Sequence, residues 1–506
     1  MSKGIRMKKR MKRLGAIALA AFMMMGTSLV AFADESSYTY CYDYWGDMQK
    51  SPDAYEVLQV CDAESLGLEQ DFVNPVGLTI SGDMIYVVDA GANQIVQIEK
   101  RGDKDYKFVR NIDHIRGDIE INTFNAPNDV AVSEDGNIFV VDTGNNRIVK
   151  MDSKLNFITE FVKPNDSTLS ADLTFRPAKL GVDTAERVYC TATGINKGLI
   201  KYESDGTFSG FVGANEVTFN WTDYIWKRLA FQAQKETMES FVPIEYDDLY
   251  IDHEGFIYVV TSKVEAEDLK AKEADAIRRL NLMGSDILIR NGEFPPYGDL
   301  YMGAGGNYSG PSRMTDITAF ENDVYVALDR NRNRIFAYDH QGRLLFAFGG
   351  IGSINGYFRK PVAIDHMDYD LFILDNVGKS ITVMTPTTYG NLIYEAIDAF
   401  DDGDYVRSGE CWEDVMELNG NYDLAYIGIG RSLLRQERYE EALDYFELKY
   451  DDENYSKAFK QYRKQWVEEN IGIIFTVVFL LLAIPLGIGR IKKIKHEIDI
   501  ADIFRR

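Results

Sequence analysis

The sequence predicts a mainly β protein: a six-bladed β-propeller, then an α-helical segment and one transmembrane helix. Three observations predict it. An apolar run ending in Asp, a polar turn and an Ile recur together four times, as Val87-Val88-Asp89 to Ile95, Val140-Val141-Asp142 to Ile148, Ala327-Leu328-Asp329 to Ile335 and Ile373-Leu374-Asp375 to Ile381. Units repeated at intervals of roughly 40–70 residues share a core with their neighbours. From Tyr389 the apolar period becomes helical. Finally, Ile471 to Gly489 carries no charge, a stretch of about 19 residues that spans ~28 Å as a helix, against a hydrocarbon core of ~30 Å.

The elements follow in chain order. Residues 1–33 hold a basic start (Lys8-Lys9-Arg10, Lys12-Arg13), an apolar run from Leu14 and the small-x-small end Ala31-Phe32-Ala33. That order is a signal peptide cleaved after Ala33, or an anchor if left uncleaved. An N-terminal segment, 34–54, precedes the propeller, 55–386. Each blade opens on a short strand, led in four cases by proline: Pro75, Pro127, Pro177 and Pro361, with Asp248-Leu249 and Asp316-Ile317 opening the other two. Turns such as Glu134-Asp135-Gly136-Asn137 separate four short strands per unit, the pattern of a blade. The last blade supplies only three strands, ending near Met384. Its fourth is expected from Tyr55 to Val60, which closes the ring and removes an exposed edge.

The residues Val140 to Val149, and the variant Asp329 to Ile335, resemble the NHL repeat, whose blades carry a proline-led inner strand and this hairpin. The resemblance covers about residues 55–386 and implies a propeller without implying an activity. Thr191 and Thr261 stand where blades three and four should carry the Asp. Both blades lie beside insertions. Phe219 to Ser240 reads as a helix that either covers a blade edge or docks a partner or sugar through Trp221 and Trp226. Asn291 to Gly310 is a long loop in which Tyr297, Tyr301 and Tyr308 are candidates for recognition.

Residues 387–470 are helical. Tyr405, Ser408 and Trp412 recur as Tyr439, Ala442 and Phe446 at the tetratricopeptide interval, and the segment resembles about two such repeats with a cap. It is either a stalk or a protein-docking groove, and so short an array is expected to pack on the propeller or on a partner. The transmembrane helix, 471–489, is followed by a basic tail, 490–506, with Arg490, Lys492, Lys493 and Lys495. By the positive-inside rule the tail is cytoplasmic and the propeller extracytoplasmic. The whole chain resembles exported NHL-repeat proteins of Gram-positive bacteria with this order, which implies an association with cell-envelope or carbohydrate-uptake machinery.

Composition narrows the partners. The net charge is −24 although both ends are basic, so the body between them is strongly acidic. A phosphate backbone is repelled by such a surface, which excludes nucleic acid as a partner. Cys41 and Cys61 either pair as a disulfide or are two buried thiols; Cys190 and Cys411 read as core residues. Aligning the inner strands puts Gly77, Asp129, Lys179, Asp248, Asp316 and Ala363 at equivalent positions facing the channel. Three converging carboxylates and a lysine there have three readings: caps on backbone amides, a binding site for a carbohydrate or polyol, or a Ca²⁺ site built by Asp129, Asp248 and Asp316. The repeated Asp89, Asp142, Asp329 and Asp375 read as turn-fixing. His114, His253, His340 and His366 fall in loops without matched spacing, so the three-histidine metal site of this family's amidating lyases is not expected. The favoured function is a non-catalytic, membrane-anchored binding or scaffold protein with a protein partner at the membrane surface and no cofactor. The alternative, by resemblance to six-bladed lactonases, is a Ca²⁺-dependent hydrolase.

Overall fold

The computed structural model describes residues 39–503 except 168, 171, 214–244, 265–267, 269–274, 302 and 304–307. The expected signal peptide and the Phe219 to Ser240 helix, with Trp221 and Trp226, lie outside the described residues. Six antiparallel sheets form the ring. Their innermost strands are β1 (Pro75–Ser81), β2 (Asp129–Val132), β3 (Pro177–Val182), β4 (Asp248–Ile251), β5 (Met314–Ala319) and β6 (Pro361–Met367), and each touches the next until β6 returns to β1. Tyr55–Cys61 is the outermost strand of the sixth blade, with Cys61 opposite Ile381 and Tyr55 opposite Pro386. A strand from near the N-terminus thus completes the last blade.

The second strand of each blade is mostly apolar because both its faces are buried. Alternate side chains of a strand point to opposite sides. Val140 therefore packs with Tyr86 and Val88 of blade one, while Phe139 and Val141 pack with Leu180 and Cys190 of blade three. In blade one, Val87 faces the sixth blade and Val88 the second. Each such side chain contributes roughly 1.5–3 kcal/mol when fully buried, so the core is a set of six layers between blades.

The recurrent Asp ties each turn to the segment that leads into the same blade. Asp375 accepts hydrogen bonds from the backbone amides of Arg359, Lys360, Val377 and Gly378, and Asp89 from those of Val73, Asn74, Gly91 and Ala92. Blades three and four solve the problem differently. Thr191 Oγ1 accepts from the Lys179 amide, and in blade four Asp247 accepts from the Ser262 amide.

Two features were not legible in the sequence. Tyr40–Tyr42 and Met48–Lys50 form a hairpin that extends blade five to six strands. Among the described residues, blade four has three strands. All four cysteines are buried and free, with Cys41 in the hairpin of blade five and Cys61 in the closing strand of blade six.

Helices α1 (Thr388–Asp401), α2 (Tyr405–Leu418), α3 (Asp423–Arg435), α4 (Tyr439–Leu448) and α5 (Asp452–Ile503) follow. Thr387 caps α1 by accepting from the Gly390 amide, while its hydroxyl donates to the Asp53 carbonyl beside the closing strand. Tyr394 of α1 stacks on Tyr369 at 4.5 Å and shares a hydrogen bond with Tyr55, and Tyr422 donates to the Leu345 carbonyl. One hydrophobic cluster accordingly runs from Phe346 and Ile373 of the propeller to Trp412 and Phe446 of the helices. Close helix contact rests on glycine: a Cβ on Gly428 would lie 2.4 Å from the Trp412 indole. Ala458 is the last residue of this core. From 459 to 498 α5 has no buried residue and carries a stretch long and apolar enough to cross a membrane.

Candidate functional site: the channel ring

The channel holds a cavity of about 560 Å³ lined by all six inner strands. Asp129, Lys179, Asp248 and Asp316 sit together in its wall, as their equivalent positions in the repeat require. Lys179 Nζ donates to Asp248 Oδ2 at 2.7 Å and lies 4.0 Å from Asp316 Oδ2. Two of the carboxylates also clamp neighbouring blades. Asp129 Oδ2 accepts from the Leu180 amide of blade three at 3.0 Å, and Asp316 Oδ2 accepts from the Ile364 amide of blade six at 3.1 Å. Asp248 and Asp316 each use their other oxygen on the next amide in their own strand, at 2.7 Å. Gly77 leaves room for this arrangement, because a Cβ there would come within 3.2 Å of Asp129 Oδ1.

Burial dominates the electrostatics. It raises the Asp129 carboxyl to about 7, against the pull of Lys179 and with the push of Asp248. It raises Asp316 well above the usual carboxylate range, with Asp248 adding to the effect. Burial lowers the Lys179 pKa, but Asp129, Asp248 and Asp316 outweigh it, raise the pKa well above its usual value and hold the ammonium charged. The cluster is therefore a cation set among carboxyls that resist ionising together. A calcium ion at Asp248 and Asp316 would have to displace the Lys179 ammonium, which already supplies positive charge there.

A second ring lies two residues further along each strand: Thr79, Ala131, Gly181, Tyr250 and Asp365 line the cavity, and Thr318 is buried beside them. Thr79 donates to the Val130 carbonyl at 2.6 Å, and Asp365 Oδ2 accepts from the Ile80 amide at 2.7 Å, so this ring also links blades. His366 lies in β6 and lines the cavity, which corrects its placement in a loop. Its Nδ1 is 2.6 Å from Thr318 Oγ1, Thr318 donates to Asp365 Oδ1 at 3.2 Å, and the imidazole faces the Tyr250 ring. Counting two residues on from the first ring would have found Tyr250, Thr318 and Asp365.

The other candidates lie apart from this cavity. Tyr297 is buried in the core between blades four and five, Tyr301 is exposed, and the Tyr308 ring lies under the Arg332 guanidinium at 4.6 Å. Asp252, Glu254 and Asp323 converge elsewhere, but the Arg279 guanidinium lies within 3.0 Å of each. That cluster is an ion-pair network linking blades four and five.

Residues 124–151 match the NHL repeat. The chain is thus a six-bladed β-propeller carrying an NHL repeat, with a helical C-terminal segment. Over 156 residues it is 31% identical to a probable peptidyl-alpha-hydroxyglycine alpha-amidating lyase of Caenorhabditis elegans, a match covering 28% of this chain and 42% of that protein. The chain thus spans less than half the length of that relative. Similar solved structures include a virginiamycin B lyase from Staphylococcus aureus (12% identity, 65% of this chain and 98% of that one, TM-score 0.39). A structural genomics protein of unknown function from Bacteroides thetaiotaomicron is also similar (10% identity, 70% and 77%, TM-score 0.40).

Proposed function

We propose that the protein is an extracytoplasmic binding module, anchored by the apolar stretch of α5, whose channel receives a small polyhydroxylated ligand. The observation that carries this reading is the state of the first ring. Lys179 is ion-paired to Asp248, and the carboxylates of Asp129, Asp248 and Asp316 accept from backbone amides. Groups so engaged make a fixed polar surface on which hydroxyls can be oriented. The cavity adds hydroxyl, imidazole and carboxylate groups from Tyr250, His366 and Asp365. Its size and its few convergent polar groups suit a monosaccharide or polyol. The helical segment, resembling tetratricopeptide repeats, would couple the propeller to a protein partner at the membrane, such as carbohydrate-uptake machinery.

The test is a thermal-shift and calorimetric screen of the full chain in nanodiscs against monosaccharides and polyols, with and without EDTA. We expect one chemical class to raise Tm, His366→Ala to abolish that rise, and EDTA to leave it unchanged. Failure of every polyol, or a rise that needs Ca²⁺, would overturn the reading. A second reading, a lyase of the relative's type, is favoured by the 156-residue match. Formation of amidated peptide from a peptidyl-α-hydroxyglycine, lost in His366→Ala, would replace the first reading with the second.

A further inference from the structure

Three parts of the chain distant in sequence meet outside the ring and enclose a groove of about 320 Å³. One wall is the hairpin of blade five, at Tyr42, Asp43 and Tyr44; another is the insertion at Asn291–Pro295 and Leu300; the third is α3 with the turn from α4 into α5. The hairpin is not needed to close the ring, since blade five already has four strands without it. Its turn is nonetheless held firmly. Asp43 Oδ1 accepts from the Trp45 and Asp47 amides at 2.9 Å, and Gly46, at φ +83°, leaves no room for a Cβ, which would lie 2.8 Å from the Phe294 ring.

What this rigid turn presents is aromatic. Tyr44, Trp45 and Tyr450 form a cluster with centroids 5.0, 5.3 and 6.0 Å apart, yet Trp45 is 70% and Tyr450 57% exposed. Exposed aromatics held in place in the free protein are the usual anchors of an interface, because little entropy remains to be lost on binding. The rim supplies the sign of the partner. Its cations are already engaged, Lys449 with Asp423 at 2.7 Å and Arg343 with Asp451 at 3.6 Å, and Asp43 and Asp452 add further negative charge. Such a rim repels an anionic lipid surface and gives a neutral sugar no use for its charge. A cationic chain uses both features, since ammonium and guanidinium groups also favour aromatic faces.

We propose that this groove docks an extended segment of a partner protein in which Lys or Arg alternates with apolar side chains. The site is separate from the channel, so its fate is independent of the polyol reading. The test uses the full chain in nanodiscs and a fluorescein-labelled hexapeptide alternating lysine with leucine and phenylalanine, read by anisotropy. We expect saturable binding that weakens at least tenfold in Trp45→Ala and severalfold in Asp452→Asn, and falls with added salt. Both positions are exposed, and unchanged Tm values will confirm that the fold survives; Tyr450→Ala, on the opposite wall, replaces any variant whose Tm falls. The proposal is overturned by absence of saturable binding, by equal affinity in the variants, by equal binding of the glutamate counterpart, or by displacement of the peptide with maltohexaose.

Discussion

Asp375 shows how single side chains hold this ring: one carboxylate gathers four backbone amides from two segments. Asp375→Ala leaves those donors without their acceptor, and we expect urea unfolding to show a loss of about 1–3 kcal/mol. The channel ring makes a pH prediction. Burial raises Asp129 to about 7, and it raises Asp316 well above its unfolded value near 4. A folded pKa above the unfolded one means a contribution fully present below about pH 4 and lost as pH rises through the folded value. Tm should therefore fall from pH 5 to pH 8, a window in which ordinary carboxylates are already ionised, and Asp316→Asn should flatten that fall in differential scanning calorimetry. The first ring was legible because the repeat copies its position in every blade. The Lys179–Asp248 pair was not, since it joins residues 69 apart on different blades and no local spacing encodes it. His366 was read as a loop residue because a lone histidine has no matched spacing, although it and Asp365 both lie in the inner strand and border the channel.

Elements were legible where a period was long enough to be seen. The inner strands, the closing strand and the helical segment all announced themselves by spacing. The hairpin Tyr40–Lys50 did not, because strands of three residues flanked by turn residues carry no period. The helical segment depends on glycines that admit bulky neighbours. Gly428 lies against the Trp412 indole, and Gly430 lies so close to Phe446 that a Cβ would be 2.7 Å from its ring. Gly428→Val forces the indole away and should destabilise by about 1–3 kcal/mol, read as a lower denaturation midpoint. Because one cluster joins helices and propeller, that loss should appear in a single cooperative transition.

Across the whole molecule, the last core residue of α5 is Ala458, and no residue from 459 to 498 is buried. A chain ending at Gln465 keeps every core contact and loses the apolar stretch. We expect it to leave the membrane fraction on centrifugation while keeping the Tm of the full chain; pelleting with membranes would place the anchor elsewhere. The pairing of Cys61 with Ile381 has a consequence for how the chain is made. Synthesis runs from the N-terminus, so the strand that emerges early must wait, unpaired, until its partner near the end of the propeller arrives. Such a long-range contact forms slowly. Thr387 follows directly, joining α1 to the segment before that strand. A chain that stops short of residue 380 leaves an open sheet edge for proteases and chaperones to find. The closing strand is thus a completeness check, in which a strand made early reports that the last has been delivered.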